Sequence, residues 1–271
     1  MSSQMARRVA MAEVLHLKHR LQALQKCYPE QDYSIHSVAG SITLRTNAAF
    51  GRKLNHTSGF GMFGPVTAED LDSVELIYEA TGLPPVLDMS TSADPSASDL
   101  LNDRYEVTGS VSHYHLSLIN FEPPASATCS TVEVYESSDN DAAFLEASVE
   151  GFRSGGRDPE FLKILAANAV ARSDTKLFFA MLEGELAGTA GMAVFDVDGC
   201  QVANLYVDST LPAFRGKGVH IALLLARLEG AKDSGCELAL AAARQSSGSA
   251  RNIEKVGFVK AYDCNIFVKR C

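Results

Sequence analysis

Hydrophobic and polar positions change period along the chain, from helical spacing near the start to alternation and back several times. Residues 5–28 carry Val9, Ala12, Leu15, Leu17, Leu21 and Leu24 at helical spacing among charged residues, which predicts an amphipathic helix closed by Pro29. Two alternating runs, 33–38 and 41–45, flank Ala39-Gly40 and predict a hairpin. A glycine-rich run at 58–64 reads as a strand. Thr67, with Asp70 three residues on, marks a helix start, and the helix is expected to reach residue 80 ahead of Gly82. A strand at 85–89, a small helix at 96–102 and strands at 105–107 and 112–119 follow. Pro123-Pro124 and the small polar residues to Ser130 cannot continue a ladder, so they predict a linker.

The second half predicts a strand at 131–135, helices at 141–153 and 158–172 that each open on an aspartate, and strands at 176–182, 186–195 and 201–208. A glycine-bearing loop leads to a helix at 219–233, a strand at 237–242, a short helix at 248–256 and a last strand pair, 258–262 and 265–269. The order is β-α-α-β-β-β-α-β-α-β-β. Residues 58–119 echo its later part as strand, helix, strand, short helix, strand, strand. The expected fold is α/β (α+β), with two related domains at 1–124 and 130–271, each a mixed, mostly antiparallel sheet flanked by helices. Two unrelated α/β units with a coincidental order are the alternative.

Composition narrows the class. The chain has 271 residues, 46% of them hydrophobic, which suits two modest cores. A net charge of -9 argues against nucleic-acid binding, which needs basic surface to displace counterions. The basic residues up to Lys53 read as a solvated helix surface, and no partner is assigned to them. No apolar run approaches the ~20 residues of a spanning helix, and the opening segment lacks an apolar signal core. A cytoplasmic protein with no membrane partner is expected. The cysteines, Cys27, Cys129, Cys200, Cys236, Cys264 and Cys271, have no metal or redox spacing, so reduced thiols and no metal are expected.

Candidate chemistry concentrates in Pro212-Ala-Phe-Arg-Gly-Lys-Gly-Val-His220, between a predicted strand and an amphipathic helix. Amides of the first helical turn have no intrahelical acceptor, and with the helix dipole they favour an anion by about 0.3–1 kcal/mol. Charge-assisted bonds from Arg215 or Lys217 would add about 1.5–3 kcal/mol, and Gly216 and Gly218 let a phosphate approach the backbone. A dinucleotide would suit the same features, yet the spaced glycines of a Rossmann turn and the Gly-Lys-Ser/Thr of a Walker loop are both missing.

The Arg-x-x-Gly-x-Gly/Ala spacing, the apolar helix after it, the strand order and Ser249-Ala-Arg-Asn-Ile-Glu-Lys-Val-Gly-Phe258 together resemble the GNAT superfamily of N-acetyltransferases over 131–271. The resemblance implies a GNAT-type sheet, acetyl-CoA as co-substrate, and pyrophosphate binding through Arg215, Gly216, Lys217, Gly218 and Val219. His220 stands where the family usually has Gly or Ala, so its side chain either presses on the phosphates or points aside. Thr210 and Leu211 fall where the family pairs main chain with the pantetheine arm. Ser249 and Asn252 match polar positions that touch that arm or its leaving thiol, with helix capping as the other reading.

The implied reaction is direct attack on the thioester by a primary amine of a small molecule or peptide. Ile253 occupies the place where many members have an acidic tyrosine. Asp208 is the leading candidate base, with Tyr206 and Asn204 on the same alternating face and Tyr262 nearby in pattern. A plain turn role for Asp208, or a water relay with no dedicated residue, stays open. The first half has Gly64-Pro-Val-Thr-Ala-Glu-Asp70 in place of the basic loop, which implies a degenerate GNAT-like N-terminal domain. A non-catalytic acyl-CoA-binding sensor or interaction protein is the alternative function, and monomer and homodimer both fit.

Overall fold

The computed structural model describes residues 3–79, 81–127, 131–137, 139–153 and 156–270. They form two compact units. The first runs to His113 and takes the chain up again from Ala261, and the second is Tyr114–Lys260. Residues 128–130 of the expected linker lie outside the described residues.

The first unit comprises α1 (Ser3–Cys27), β1 (Ser34–Val38), β2 (Ser41–Arg45), β3 (Thr57–Ser58), α2 (Ala68–Glu79), β4 (Val86–Ser90), α3 (Pro95–Leu101), most of β5 (Tyr105–Ser117) and most of β11 (Val259–Lys269). Its strands are ordered β1-β2-β3-β4-β11-β5, with β3 and β4 parallel. Ala39 and Gly40 at φ 47 and 79 make the expected hairpin turn, and both residues in the left-handed region suit the twist of the paired strands. Thr67 and Asp70 cap α2 reciprocally: the Thr67 amide donates to Asp70 Oδ2 at 2.9 Å, and the Asp70 amide donates to Thr67 Oγ1 at 3.2 Å. Leu71, Val74 and Tyr78 of α2 pack on Phe60, Leu87 and Phe267, while Leu17 and Leu21 of α1 cover Ile42 and Leu44.

Three local expectations are corrected here. The run 58–64 is not a strand, because Gly59 and Gly61 take φ 86 and 74 and turn the chain away after Ser58. Expected strands 105–107 and 112–119 are one strand, since Gly109 keeps an extended backbone instead of turning. The expected final pair is likewise a single strand. Asp263, in the expected gap, accepts the Ser112 hydroxyl at 2.6 Å on its side chain and the Thr91 amide at 2.8 Å on its carbonyl, and Cys264 and Asn265 pair with Ser90 and Met89.

The second unit holds β6 (Val132–Glu136), α4 (Asp141–Arg153), α5 (Pro159–Val170), β7 (Thr175–Leu182), β8 (Glu185–Val197), β9 (Cys200–Thr210), α6 (Val219–Asp233), β10 (Leu238–Arg244) and α7 (Gly248–Val256). Its strands are ordered β5-β10-β9-β8-β7-β6. β6, β7, β8 and β9 pair antiparallel, and β10 runs parallel to β9. Asp158 caps α5 by accepting the Glu160 amide at 3.0 Å, with Pro159 preset for the first turn. Leu223, Leu224 and Leu228 of α6 are buried with Phe178, Met192, Leu205 and Ala239, each leucine contributing about 1.5–3 kcal/mol. A second cluster joins Phe144 of α4 and Ala169 of α5 to Leu177 and Phe179 of β7. The sheet therefore separates α6 from the α4–α5 pair. Among the described residues no helix is long and apolar enough to cross a membrane.

Candidate functional site

The site is built where β9 leaves its neighbours. The parallel ladder ends at Leu205↔Ala241, although β9 continues to Thr210 and β10 to Arg244. Past this pair the strand amides and carbonyls on the facing edges make no cross-strand ladder with each other, and a ligand can supply their partners. β9 is also bulged. Tyr206 lies opposite Gly191 and Ser209 opposite Thr189, so β9 has one extra residue, and Val207 takes φ 53. The bulge presses β9 inward: a Cβ on Gly188 would stand 2.5 Å from the Ser209 carbonyl oxygen, and one on Gly151 of α4 would stand 2.6 Å from Ser209 Cβ. Both positions require glycine.

From the end of β9 the chain makes a short turn at Pro212–Phe214, and the Leu211 amide donates to the Ala187 carbonyl at 2.9 Å. Gly216 and Gly218 then take φ 77 and 85, the left-handed region that glycine enters without penalty, and nothing lies within 4 Å of a Cβ built on Gly216. Gly218 caps α6 with no side-chain hydrogen bond, and the first turn of α6 contains no acidic residue. The amides at this end therefore face outward beside exposed Lys217, which suits a diphosphate. Lys217 Nζ lies 5.3 Å from the Phe214 ring centroid. Arg215 reaches back, donating to the Gly151 carbonyl at 2.8 Å and to the Thr210 carbonyl at 3.3 Å, and so ties the loop to the last turn of α4.

The first unit has the same parallel pair followed by a glycine-bearing loop and a helix, but not the same chemistry. Its helix start is capped by its own Thr67 and Asp70 and carries Glu69 and Asp70 in the first turn. Closed amides and negative charge repel a phosphate there.

Behind the loop of the second unit lies a chain of polar side chains. Arg227, on α6 and wholly buried, contacts Asp208 Oδ1 through one terminal nitrogen. Its remaining donors reach the Leu223 carbonyl at 2.9 Å and the Gly191 carbonyl at 3.1 Å. His220 Nε2 lies 3.5 Å from Asp208 Oδ1, and His220 Nδ1 is 3.0 Å from Asn252 Nδ2 on α7. With Asn252 donating, Nδ1 accepts and Nε2–H faces the carboxylate. Burial by itself would raise Asp208, but Arg227 and His220 outweigh it and hold the carboxyl well below the usual carboxylate range. A carboxylate held so low accepts a proton poorly at neutral pH.

These contacts revise several expectations. Tyr206 and Asp208 do not share a face, because the extra residue at Val207 resets the alternation. Tyr206 stays on the α4–α5 side, its hydroxyl 2.7 Å from Thr175 Oγ1 and its ring 5.3 Å from the Arg172 guanidinium, whereas Asp208 turns to α6. Tyr262 belongs to the first unit and not to this site. His220 points inward to Asp208 and Asn252. Neither Ser249 nor Asn252 caps α7; Ser247 does, accepting the Ala250 amide at 3.1 Å, and Ser249 is exposed. Ile253 is packed in the core. Arg227 was not foreseen, although an arginine inside Leu223-Leu-Leu-Ala-Arg-Leu228 signals a buried charge that needs a partner. Among the described residues no group of His, Cys, Asp and Glu is arranged to hold a metal ion.

Residues 142–258 match the Acetyltransferase (GNAT) family. A GCN5-related N-acetyltransferase from Kribbella flavida superposes with a TM-score of 0.63 at 12% identity, covering 95% of each chain. A GCN5-related N-acetyltransferase from Sphaerobacter thermophilus gives 0.56 at 15% identity over 84% of this chain and 71% of its own. A tandem GNAT protein from the clavulanic acid biosynthesis pathway gives 0.54 at 14% identity over 73% and 67%. At these identities the likeness is one of fold. No curated protein matches the sequence. The family match takes in the loop, α6 and α7, so residues 142–258 are similar to GNAT-family acetyltransferases.

Proposed function

We propose that the second unit transfers an acetyl group from acetyl-CoA to a primary amine of a small molecule or peptide by direct attack, and that the first unit is a degenerate relative of the same fold. The observation that carries this reading is the uncapped start of α6 behind Arg215–Gly218, set beside the parting of β9 and β10. The loop amides, with Lys217, would hold the pyrophosphate. Main-chain groups of Thr210 and the Leu211 carbonyl would align the arm, and the Thr210 amide would polarise the thioester carbonyl, the Leu211 amide being already given to Ala187. Asp208 serves here as a positioning residue that fixes the start of α6 through His220 and Arg227. The amine proton then leaves to solvent, and the departing thiolate takes its proton from solvent, since Ile253 offers no hydroxyl.

Calorimetric titration of acetyl-CoA into the wild-type chain and into Gly218→Asp, with thiol release followed over an amine panel, tests this reading. Micromolar binding lost in the variant, with amine-dependent thiol release by the wild type, is the expected result. Binding without thiol release for any amine would favour an acyl-CoA sensor, the reading that the apolar Ile253 supports. No binding to the wild type would overturn the transferase assignment.

A further inference from the structure

The first unit contains a polar cavity of about 30 Å³. It opens where β3 and β4 part, past the pair Ser58↔Asp88, and six chemically active side chains reach it: Glu13, His56, Asp88, His113, Tyr262 and Cys264. Their hydrogen-bonding capacity is left largely unused inside the protein. Tyr262 is 5% exposed, and its hydroxyl has no hydrogen-bond partner among the described residues. Burial pushes this phenol well above its ordinary value, so it stays protonated. His56 donates from Nδ1 to the Arg52 carbonyl at 3.1 Å, which leaves a lone pair on Nε2. Burial, partly offset by Asp88, lowers His56 to about 4, so the ring is neutral at pH 7. Its Nε2 lies 3.9 Å from Asp88 Oδ2, and His113 Nδ1 lies 3.8 Å from Glu13 Oε1, both too long for a hydrogen bond. Arg52 occupies the other Asp88 oxygen.

The unused groups are mostly acceptors: a carboxylate on Glu13, one oxygen of Asp88, the His56 lone pair and the oxygen of Tyr262. Of the nearby guanidinium groups, Arg52 gives one terminal nitrogen to Asp88 while its buried Nε has no hydrogen-bond partner among the described residues, and Arg20 also acts on His56. A ligand that satisfies this set carries positive charge and several N–H donors in a small volume. A quaternary ammonium has no N–H to give and would leave these acceptors unsatisfied. A transition metal is disfavoured, because burial raises the Cys264 thiol and no metal-ligating constellation is found among the described residues.

We propose that the first unit binds a small primary ammonium group in this cavity, held by Glu13, His56, Asp88 and Tyr262. The site is independent of acetyl transfer, so its test stands apart from that of the second unit. Thermal unfolding of the full chain is followed with increasing methylammonium chloride, against tetramethylammonium chloride at matched ionic strength. Methylammonium should raise Tm saturably and tetramethylammonium should not. Tyr262→Phe, which keeps the ring stacked on His113, and Glu13→Gln, at the partly exposed edge, should each weaken the apparent methylammonium affinity by about tenfold. Equal effects of the two cations, or a methylammonium effect that survives in both variants, would overturn the proposal.

Discussion

Arg227 and Asp208 form an ion pair that joins the middle of α6 to the bulged end of β9, with the arginine side chain wholly buried and the aspartate 22% exposed. The same guanidinium hydrogen-bonds the Leu223 and Gly191 carbonyls, so one side chain sets the distance between the helix and two strands. Removing one partner of a buried pair leaves the other charge without compensation. Arg227→Met should cost about 3–5 kcal/mol in urea unfolding. Arg227→Met combined with Asp208→Asn should recover part of that loss, because no net charge then stays behind. A double variant as unstable as the sum of the single ones would show that the two side chains act separately.

Asp208 also carries a pH signature. Its folded-state pKa lies below the unfolded value, so its stabilisation is full above about pH 4 and is lost only as pH falls further. Asp208→Asn should therefore be less stable than wild type at pH 7, with the gap closing under acid conditions. For catalysis, the variant should turn over more slowly yet keep the wild-type midpoint in the pH profile of kcat/KM, measured with the best amine of the panel. Disappearance of that midpoint would return Asp208 to the role of general base.

Gly151 invites a test in which two rules compete. Gly to Ala inside a helix ordinarily gains about 0.5–1 kcal/mol. Here the new methyl would stand 2.6 Å from Ser209 Cβ and 3.3 Å from the Thr210 amide nitrogen, both on the bulged strand. Overpacking of this kind costs about 1–3 kcal/mol, which outweighs the helical gain. Gly151→Ala should lower Tm, and it should weaken acetyl-CoA binding as well, because the Gly151 carbonyl anchors Arg215. An unchanged affinity in the variant would mean that the loop holds its position without α4.

How far the sequence alone could reach is visible at these positions. Gly216 and Gly218 were legible because a left-handed turn needs glycine and leaves a spacing that can be read off the chain. Tyr206 and Asp208 were placed on one face because alternation assumes an unbroken ladder. The bulge puts Val207, a β-branched residue, at φ 53, where residue preference gives no warning. Asp263 and Gly109 misled in the opposite direction. Each falls in a gap between two expected strands, yet each lies within a continuous strand, since tertiary partners satisfy Asp263 and nothing forces Gly109 to turn. The return of the chain from Ala261 to the first unit rests on the long-range pairing of β11 with β4, which no local pattern announces.

His56 gives the first unit a pH dependence of its own. Burial lowers it from its usual 6.5 to about 4, with Asp88 pulling the other way and Arg52 adding to the fall. The unfolded chain therefore takes up a proton below about pH 6.5 that the folded unit refuses until about pH 4, and stability drops across that window. The full loss is about 3 kcal/mol at about 1.4 kcal/mol per pH unit, and about 2 kcal/mol of it should be gone by pH 5. Urea unfolding of the wild type at pH 7 and pH 5 should show this difference. His56→Gln keeps a donor for the Arg52 carbonyl but cannot take up a proton, so its stability should change less over the same interval. If wild type and variant lost stability equally between pH 7 and pH 5, the buried neutral state of His56 would be refuted. The lone pair assigned to the ammonium cavity would then be refuted with it.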